Sequence, residues 1–244
     1  MQPFRRALAV LAALIATAIA VDPARACDCM TPTPSAVDGR AKLATVVHGR
    51  VIAARVDAQT RDHQIDLLVL RAWKGATAGA TITVLVDGSS CGYFLAPGDE
   101  AMIYAPARGP LQQCVGDDTA RVTTGAGIAA DAAALGPPTS AVAAPASTSG
   151  PTADVVAEGK VMMVRSGGRV GFQIRVTKAV LGVVRRQSLD VISSDGACAV
   201  AAPAVGSRVA VRAVTVRRQH VVSNCLADLG VRTLAPAPRR PRRP

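Results

Sequence analysis

The sequence predicts an all-β fold with one or two short helices, arranged as two small barrels in tandem. The apolar segments are short, dense in Val, Ile, Thr and Leu, and separated by turn signals such as Asp87-Gly88, Pro97-Gly98-Asp99 and Arg108-Gly109-Pro110. Half of the 244 residues are apolar but only 2% are aromatic, so any core must be built from Val, Ala, Leu and Ile. The landmarks of the first half also recur in the same order in the second.

The elements follow in chain order. Residues 1–26 read as a secretory signal: Arg5 and Arg6 precede the apolar run Ala7 to Ala20, and Ala24-Arg25-Ala26 offers small residues for cleavage. The mature chain is then expected to start at Cys27 in an oxidising compartment, secreted or periplasmic. A lipidated Cys27 is the less favoured form, because Ala-Arg-Ala fits a lipoprotein box poorly. No later stretch is apolar enough to predict a transmembrane anchor. Helices are expected near Ser35 to Leu43 and Ile128 to Leu135, the second stopped by Gly136-Pro137. Strands are expected over Ala44 to Val56, His63 to Trp73, Thr81 to Val86 and Glu100 to Ala105, with a fifth near Arg121 to Thr123. Five short strands in about 100 residues suit a closed barrel, which removes exposed edges.

Residues 27–136 form this first unit. Residues 137–152 are Pro, Ala, Ser, Thr and Gly with no charge, the composition of a linker. Limited proteolysis is expected to cut there and to release two folded halves. A second, degenerate copy is expected over 153–235, and a basic Pro/Arg tail over 236–244. Val155 to Val161 echoes Val46 to Val51, Ile174 to Gly182 follows Leu67 to Gly75, and Gly206 stands where Gly98 did. Asp195-Gly196-Ala197-Cys198 matches Gly88-Ser89-Ser90-Cys91, and Cys225 follows as Cys114 does. Charge separates the halves: residues 27–150 carry 9 basic and 11 acidic groups, residues 151–235 carry 12 and 5.

All six cysteines lie after residue 26, an even number in an exported chain, which predicts three disulfides. Resident zinc is disfavoured: there is no CxxC, and His48, His63 and His220 are scattered.

Cys27-Asp28-Cys29, Trp73-Lys74-Gly75, Cys91-Gly92-Tyr93-Phe94 and Cys114 occur in that order. This set resembles the netrin-like module of the tissue inhibitors of metalloproteinases (TIMPs), especially its bacterial relatives, over about residues 27–135. The resemblance implies an OB-type five-stranded barrel. It also implies disulfides Cys27–Cys91 and Cys29–Cys114, which would bolt the N-terminus across the barrel. The second unit has no Cys-x-Cys, and there Cys198 and Cys225 are each other's obvious partner. In the animal inhibitors the α-amino group and carbonyl of the first cysteine chelate the target protease's zinc. Carried over, Cys27 is that ligand and Cys27, Asp28 and Cys29 form the inhibitory edge. Asp28 departs from the family's small Ser or Thr, and the third disulfide and C-terminal domain of the animal proteins have no counterpart.

The expected function is therefore a non-enzymatic, disulfide-stapled binding protein. Its partner would be a protein, a zinc metalloprotease being the sharpest case, or an anionic envelope surface. No cofactor is called for. The alternative is a thiol-disulfide oxidoreductase using Cys27-x-Cys29. Nucleic acid is disfavoured as a partner, because few aromatics are available for stacking in the basic half. Trp73 reads as a packing residue, Tyr93 and Phe94 as a cover over a disulfide, and Ser89-Ser90 as turn chemistry.

Overall fold

A computed structural model describes residues 34–56, 62–89, 92–112, 120–166, 169–183 and 185–235. Cys27, Asp28, Cys29, Cys91 and Cys114 lie outside the described residues, and with them the expected disulfides Cys27–Cys91 and Cys29–Cys114.

Two OB-type barrels stand in tandem. In the first, helix α1 (Ala36–Lys42) leads into β1 (Thr45–Val56), β2 (His63–Lys74), β3 (Thr81–Val86), β4 (Glu100–Ala105), β5 (Arg121–Thr124) and helix α2 (Gly127–Leu135). Strand order is β3-β2-β1-β4-β5. The barrel closes where Leu111 bridges Val86 in parallel, Leu111 N donating to Leu85 O at 2.7 Å and Asp87 N to Leu111 O at 3.2 Å. The expected fifth strand near Arg121 to Thr123 is β5, which pairs with β4, and the Leu111 segment adds a short parallel bridge to the end of β3.

The second barrel holds β7 (Val155–Arg165), β8 (Gly171–Leu181), β9 (Ser188–Ser193), β10 (Arg208–Val216), β11 (Gln219–Val222) and β12 (Gly230–Thr233). Antiparallel pairings join β8 to β7 and β9, and β10 to β7, β11 and β12; β9 and β11 pair in parallel, which closes the ring. This is the first barrel's plan again.

The repetition extends to irregularities. Register shifts fall after Val46, His48 and Val51 in β1, and after Val156, Glu158 and Val161 in β7. A constant offset of 110 relates them, and β-bulges of this kind bend and coil a strand around a barrel. Gly75 and Gly182 end β2 and β8 at φ 75° and 69°. A side chain on either would strike a carbonyl, Ala44 O or Asp154 O, so both the left-handed backbone and the close approach demand glycine.

Each barrel has its own apolar interior. Val47, Val51, Leu67, Val69 and Ile103 fill the first, and Ala157, Val161, Ile174, Val176 and Val211 the second. Alternation along β2 and β9 sends every other side chain inward. Outside the first barrel, α1 and α2 cover Val46, Trp73, Met102 and Tyr104. Ser35 caps α1, its Oγ accepting from Asp38 N at 3.2 Å. Trp73 is 3% exposed and its Nε1 donates to Gly136 O at 2.8 Å, the packing role expected of it.

Residues 137–152 join the two barrels and are tethered to both by backbone contacts. Thr139 N and Val142 N donate to Ala72 O and Leu70 O, placing β6 (Ser140–Ala141) beside β2. Thr148 then bridges Leu226 of the second barrel. The segment needs no large side chains because its attachment is through backbone hydrogen bonds.

Candidate functional site

The chain's most elaborate side-chain chemistry lies in the seam between the barrels. Asp99 follows the turn Pro97-Gly98 just before β4 and is fully buried. Its carboxylate accepts four hydrogen bonds: from Arg169 Nη1 at 2.9 Å, Arg169 Nη2 at 2.7 Å, Ala96 N at 2.7 Å and Asp195 N at 2.9 Å. The fork-on-fork geometry of guanidinium and carboxylate is the strongest form of this contact. Arg169 also lies 3.4 Å from Asp195 Oδ2, donates to Phe94 O at 3.3 Å, and stacks over the Phe94 ring at 4.9 Å. A single arginine of the second unit thus clasps three groups of the seam.

At the other end of the seam, Arg217 in the β10–β11 turn donates from Nε to His63 Nε2 at 2.8 Å and from Nη2 to Asp87 O at 2.9 Å. Accepting from a guanidinium requires a neutral imidazole. Burial first and the Arg217 charge second push the His63 pKa down, with Asp62 pulling the other way. Between these two ends Ala96, Val216 and Val221 form a small apolar cluster. A side chain on Gly98 would run into Ser223, so the second barrel backs directly onto the first barrel's turn.

An open cleft of about 470 Å³ borders the seam, walled by Tyr93, Phe94, Leu95, Val122 and Thr124, with Arg169 and Asp195 at one side. Tyr93 OH donates to Ala120 O at 3.0 Å, and burial holds its pKa above the usual phenol value. Tyr93 and Phe94 therefore line a cleft. Their expected place over a disulfide involves Cys91, which is not among the described residues.

A second charged group sits on the outer surface of the first barrel. Arg50, 2% exposed, donates to Glu100 Oε1 at 2.9 Å and to Pro145 O at 2.7 Å, and so is sealed beneath the connecting segment. His48 Nε2 lies 3.5 Å from Glu100 Oε2. His48, then Arg50, hold the Glu100 carboxyl below its ordinary range against the opposing effect of burial.

Cys198 and Cys225 form the expected disulfide, with Cα atoms 5.1 Å apart. A structural disulfide marks a chain that folds outside the reducing cytoplasm. No described helix is long and apolar enough to cross a membrane. Among the described residues no group of three His, Cys, Asp or Glu could hold a metal ion.

Sequence reasoning missed Asp99, Arg169, Asp195 and Arg217 as partners. Asp99 was legible only as part of a turn, and an arginine 70 residues away carries no sequence mark of its partner.

The sequence matches no protein-family model, and no curated protein is significantly similar to it. Among solved structures, the chain is similar to one described as the crystal structure of the tetrameric p202 HIN2. Identity is 9%, over 79% of this chain and 95% of that one, with a TM-score of 0.25. At that score the likeness adds nothing to the strand pairings themselves.

Proposed function

We propose that this chain is an exported, disulfide-stapled binding protein resembling TIMP/netrin-like modules. It engages another protein through the seam cleft and the N-terminal edge of Cys27, Asp28 and Cys29, and it does not catalyse a reaction. The supporting observation is how the seam's titratable groups are used. Asp99 is saturated by four donors and His63 Nε2 is occupied by Arg217, so neither is left to act as an acid or base. What remains open is the Tyr93–Phe94–Val122 cleft, whose apolar walls suit an inserted side chain. Tyr93 and Phe94 follow Cys91, the expected partner of Cys27, which would bring the mature N-terminus close to this cleft.

Metalloprotease inhibition is the narrower form, with the α-amino group of Cys27 as zinc ligand. Asp28 weakens it, since a carboxylate buried unpaired beside a protease's catalytic glutamate costs about 3 kcal/mol or more, roughly a hundredfold in affinity. Titrating native and Asp28→Ser protein against a panel of zinc proteases tests this. Weak inhibition by the native form and a hundredfold gain for Asp28→Ser are expected. No gain anywhere in the panel removes the inhibitor form. Insulin-reductase activity that depends on Cys27 and Cys29 would instead establish the oxidoreductase alternative.

A second reading, attachment to an anionic envelope surface, is favoured by one feature. Lys160 is register neighbour to Arg175 on one side and Arg208 on the other, a row of three cations across β8, β7 and β10. Salt-sensitive cosedimentation with anionic lipid vesicles, lost in Lys160→Glu/Arg175→Glu, is its test.

A further inference from the structure

The strand registers allow the outer surfaces of the barrels to be compared position by position. Val46, Trp73, Met102 and Tyr104 of the first correspond to Val156, Val180, Ala210 and Arg212 of the second. All four are buried in the first barrel, under α1 and α2. No helix covers their counterparts among the described residues. Val180 is 60% exposed where Trp73 is 3%. An open groove of about 600 Å³ results, with Val156, Ala210, Leu226 and Leu229 along it, Arg212 and Arg232 at its polar side, and Glu158 also in its lining but already engaged by Lys178 and Arg208.

The first barrel shows what such a face holds. Helix α2 turns Ile128, Asp131, Ala132 and Leu135 toward the sheet, the spacing i, i+3, i+4, i+7 of one helical face. Asp131 is buried there, accepting from Arg121 Nη2 at 2.6 Å and from Thr123 Oγ1 at 2.7 Å. Thr123 pairs with Met102, and Arg232 pairs with Ala210, so Arg232 occupies the Thr123 position. Arg212 likewise occupies the Tyr104 position. Two guanidiniums therefore stand where the first barrel surrounds its helix's carboxylate. Arg232 forms no ion pair among the described residues, and Arg212 reaches only Asp228, at 3.4 Å on the surface.

We propose that this groove is the docking site for an amphipathic helix of a partner protein. The helix carries small or branched apolar residues at i, i+4 and i+7 and an Asp or Glu at i+3. The groove's floor strands β7 and β10 are paired on both sides, so they offer no edge for an added strand, and recognition must go through side chains. Charge complementarity selects an acidic helix over a basic one. The site is separate from the seam cleft and stands whatever the N-terminal edge binds.

The test uses the mature full chain and a lactam-bridged, fluorescent helical peptide with Ile, Asp, Ala and Leu at i, i+3, i+4 and i+7. Fluorescence anisotropy should give saturable binding. Affinity should fall at least tenfold for a peptide with Lys in place of the Asp, and at least tenfold for the native peptide on Arg232→Glu protein. The Lys peptide should regain binding on Arg232→Glu. Val180→Glu, an exposed change whose fold circular dichroism can verify, should also weaken binding. Absence of saturable binding to the native chain overturns the proposal. So does binding indifferent to both Arg232→Glu and Val180→Glu, or dimerisation of the chain that Val180→Glu abolishes.

Discussion

The outer face of the first barrel lies under two helices and that of the second, among the described residues, lies under none, although their backbones follow one plan. The bulges of β1 and β7 fall at a constant offset, and the same turns close both rings. Yet Trp73 and Tyr104 lie under helices, while Val180 and Arg212 face solvent. Arg50 and Glu100 are sealed beneath residues 145–148, and their counterparts Lys160 and Arg208 are open. The difference separates what a barrel needs in order to close from what can vary around it. Bulges, turn glycines and interior valines recur because closure geometry requires them. The outer coat is free to change, and there the second barrel differs by a surplus of positive charge and, among the described residues, by the lack of counterparts to α1 and α2.

The largest effect should come from the seam, which exists once and has no counterpart. Arg169→Ala strips a fully buried carboxylate of its partner and should cost about 3–5 kcal/mol, read as a fall in the urea midpoint. Replacing both partners, as Asp99→Asn with Arg169→Met, should recover part of that loss, since no charge is left buried unpaired and the amide oxygen can still accept from a backbone N–H of Ala96 or Asp195.

Next is a paired glycine test. Gly98 (φ 91°) and Gly206 (φ 87°) occupy equivalent turns. A side chain on Gly98 meets Ser223 across the seam, whereas on Gly206 it meets only the Lys160 side chain at 4.0 Å. Gly206→Ala should cost only the left-handed strain, about 1–2 kcal/mol, and Gly98→Ala clearly more. Equal costs would mean that the barrels do not press together at this turn.

His63 supplies the pH dependence. Its folded pKa lies below the ordinary histidine value of 6.5, through burial and then Arg217. Between the folded value and 6.5 the unfolded chain is therefore the more protonated state. The His63 contribution is full above about pH 6.5 and is lost as pH falls through the folded pKa. Urea titrations should show this loss, and His63→Gln, whose amide oxygen can still accept from Arg217, should flatten it.

The smallest expected effect concerns Gly79 and Arg186. Each donates its backbone N–H to the matching residue, Val69 O or Val176 O, at 2.8 Å, with φ of 87° and 70°. Arg186→Gly should stabilise by about 0.5 kcal/mol, and Gly79→Ala should cost about 1 kcal/mol.

Much of the architecture was legible in the sequence. β3 and β4 run over the residues expected, because short apolar runs bounded by Asp87-Gly88 and Pro97-Gly98-Asp99 leave little freedom. The repeat was legible through glycines and cysteines, the residues that closure constrains most, and Cys198–Cys225 followed from it. The seam was not legible. Arg169, Asp99 and Arg217 look like any surface charge in a basic chain, and only folding brings them together. The packing of residues 137–152 was hidden for a different reason: backbone hydrogen bonds leave no side-chain signature. The N-terminal edge of Cys27, Asp28 and Cys29 rests on the resemblance alone.

The central claim is that the two repeats, clasped by Asp99–Arg169 and Arg217–His63 and strapped by residues 137–152, unfold together. Differential scanning calorimetry of the mature chain tests it most directly. One transition, with calorimetric and van't Hoff enthalpies in agreement, is the expected result, and Arg169→Ala should broaden or split it. Two resolved transitions in the native protein, or a calorimetric enthalpy near twice the van't Hoff value, would contradict the claim and restore the picture of two independent barrels on a free linker.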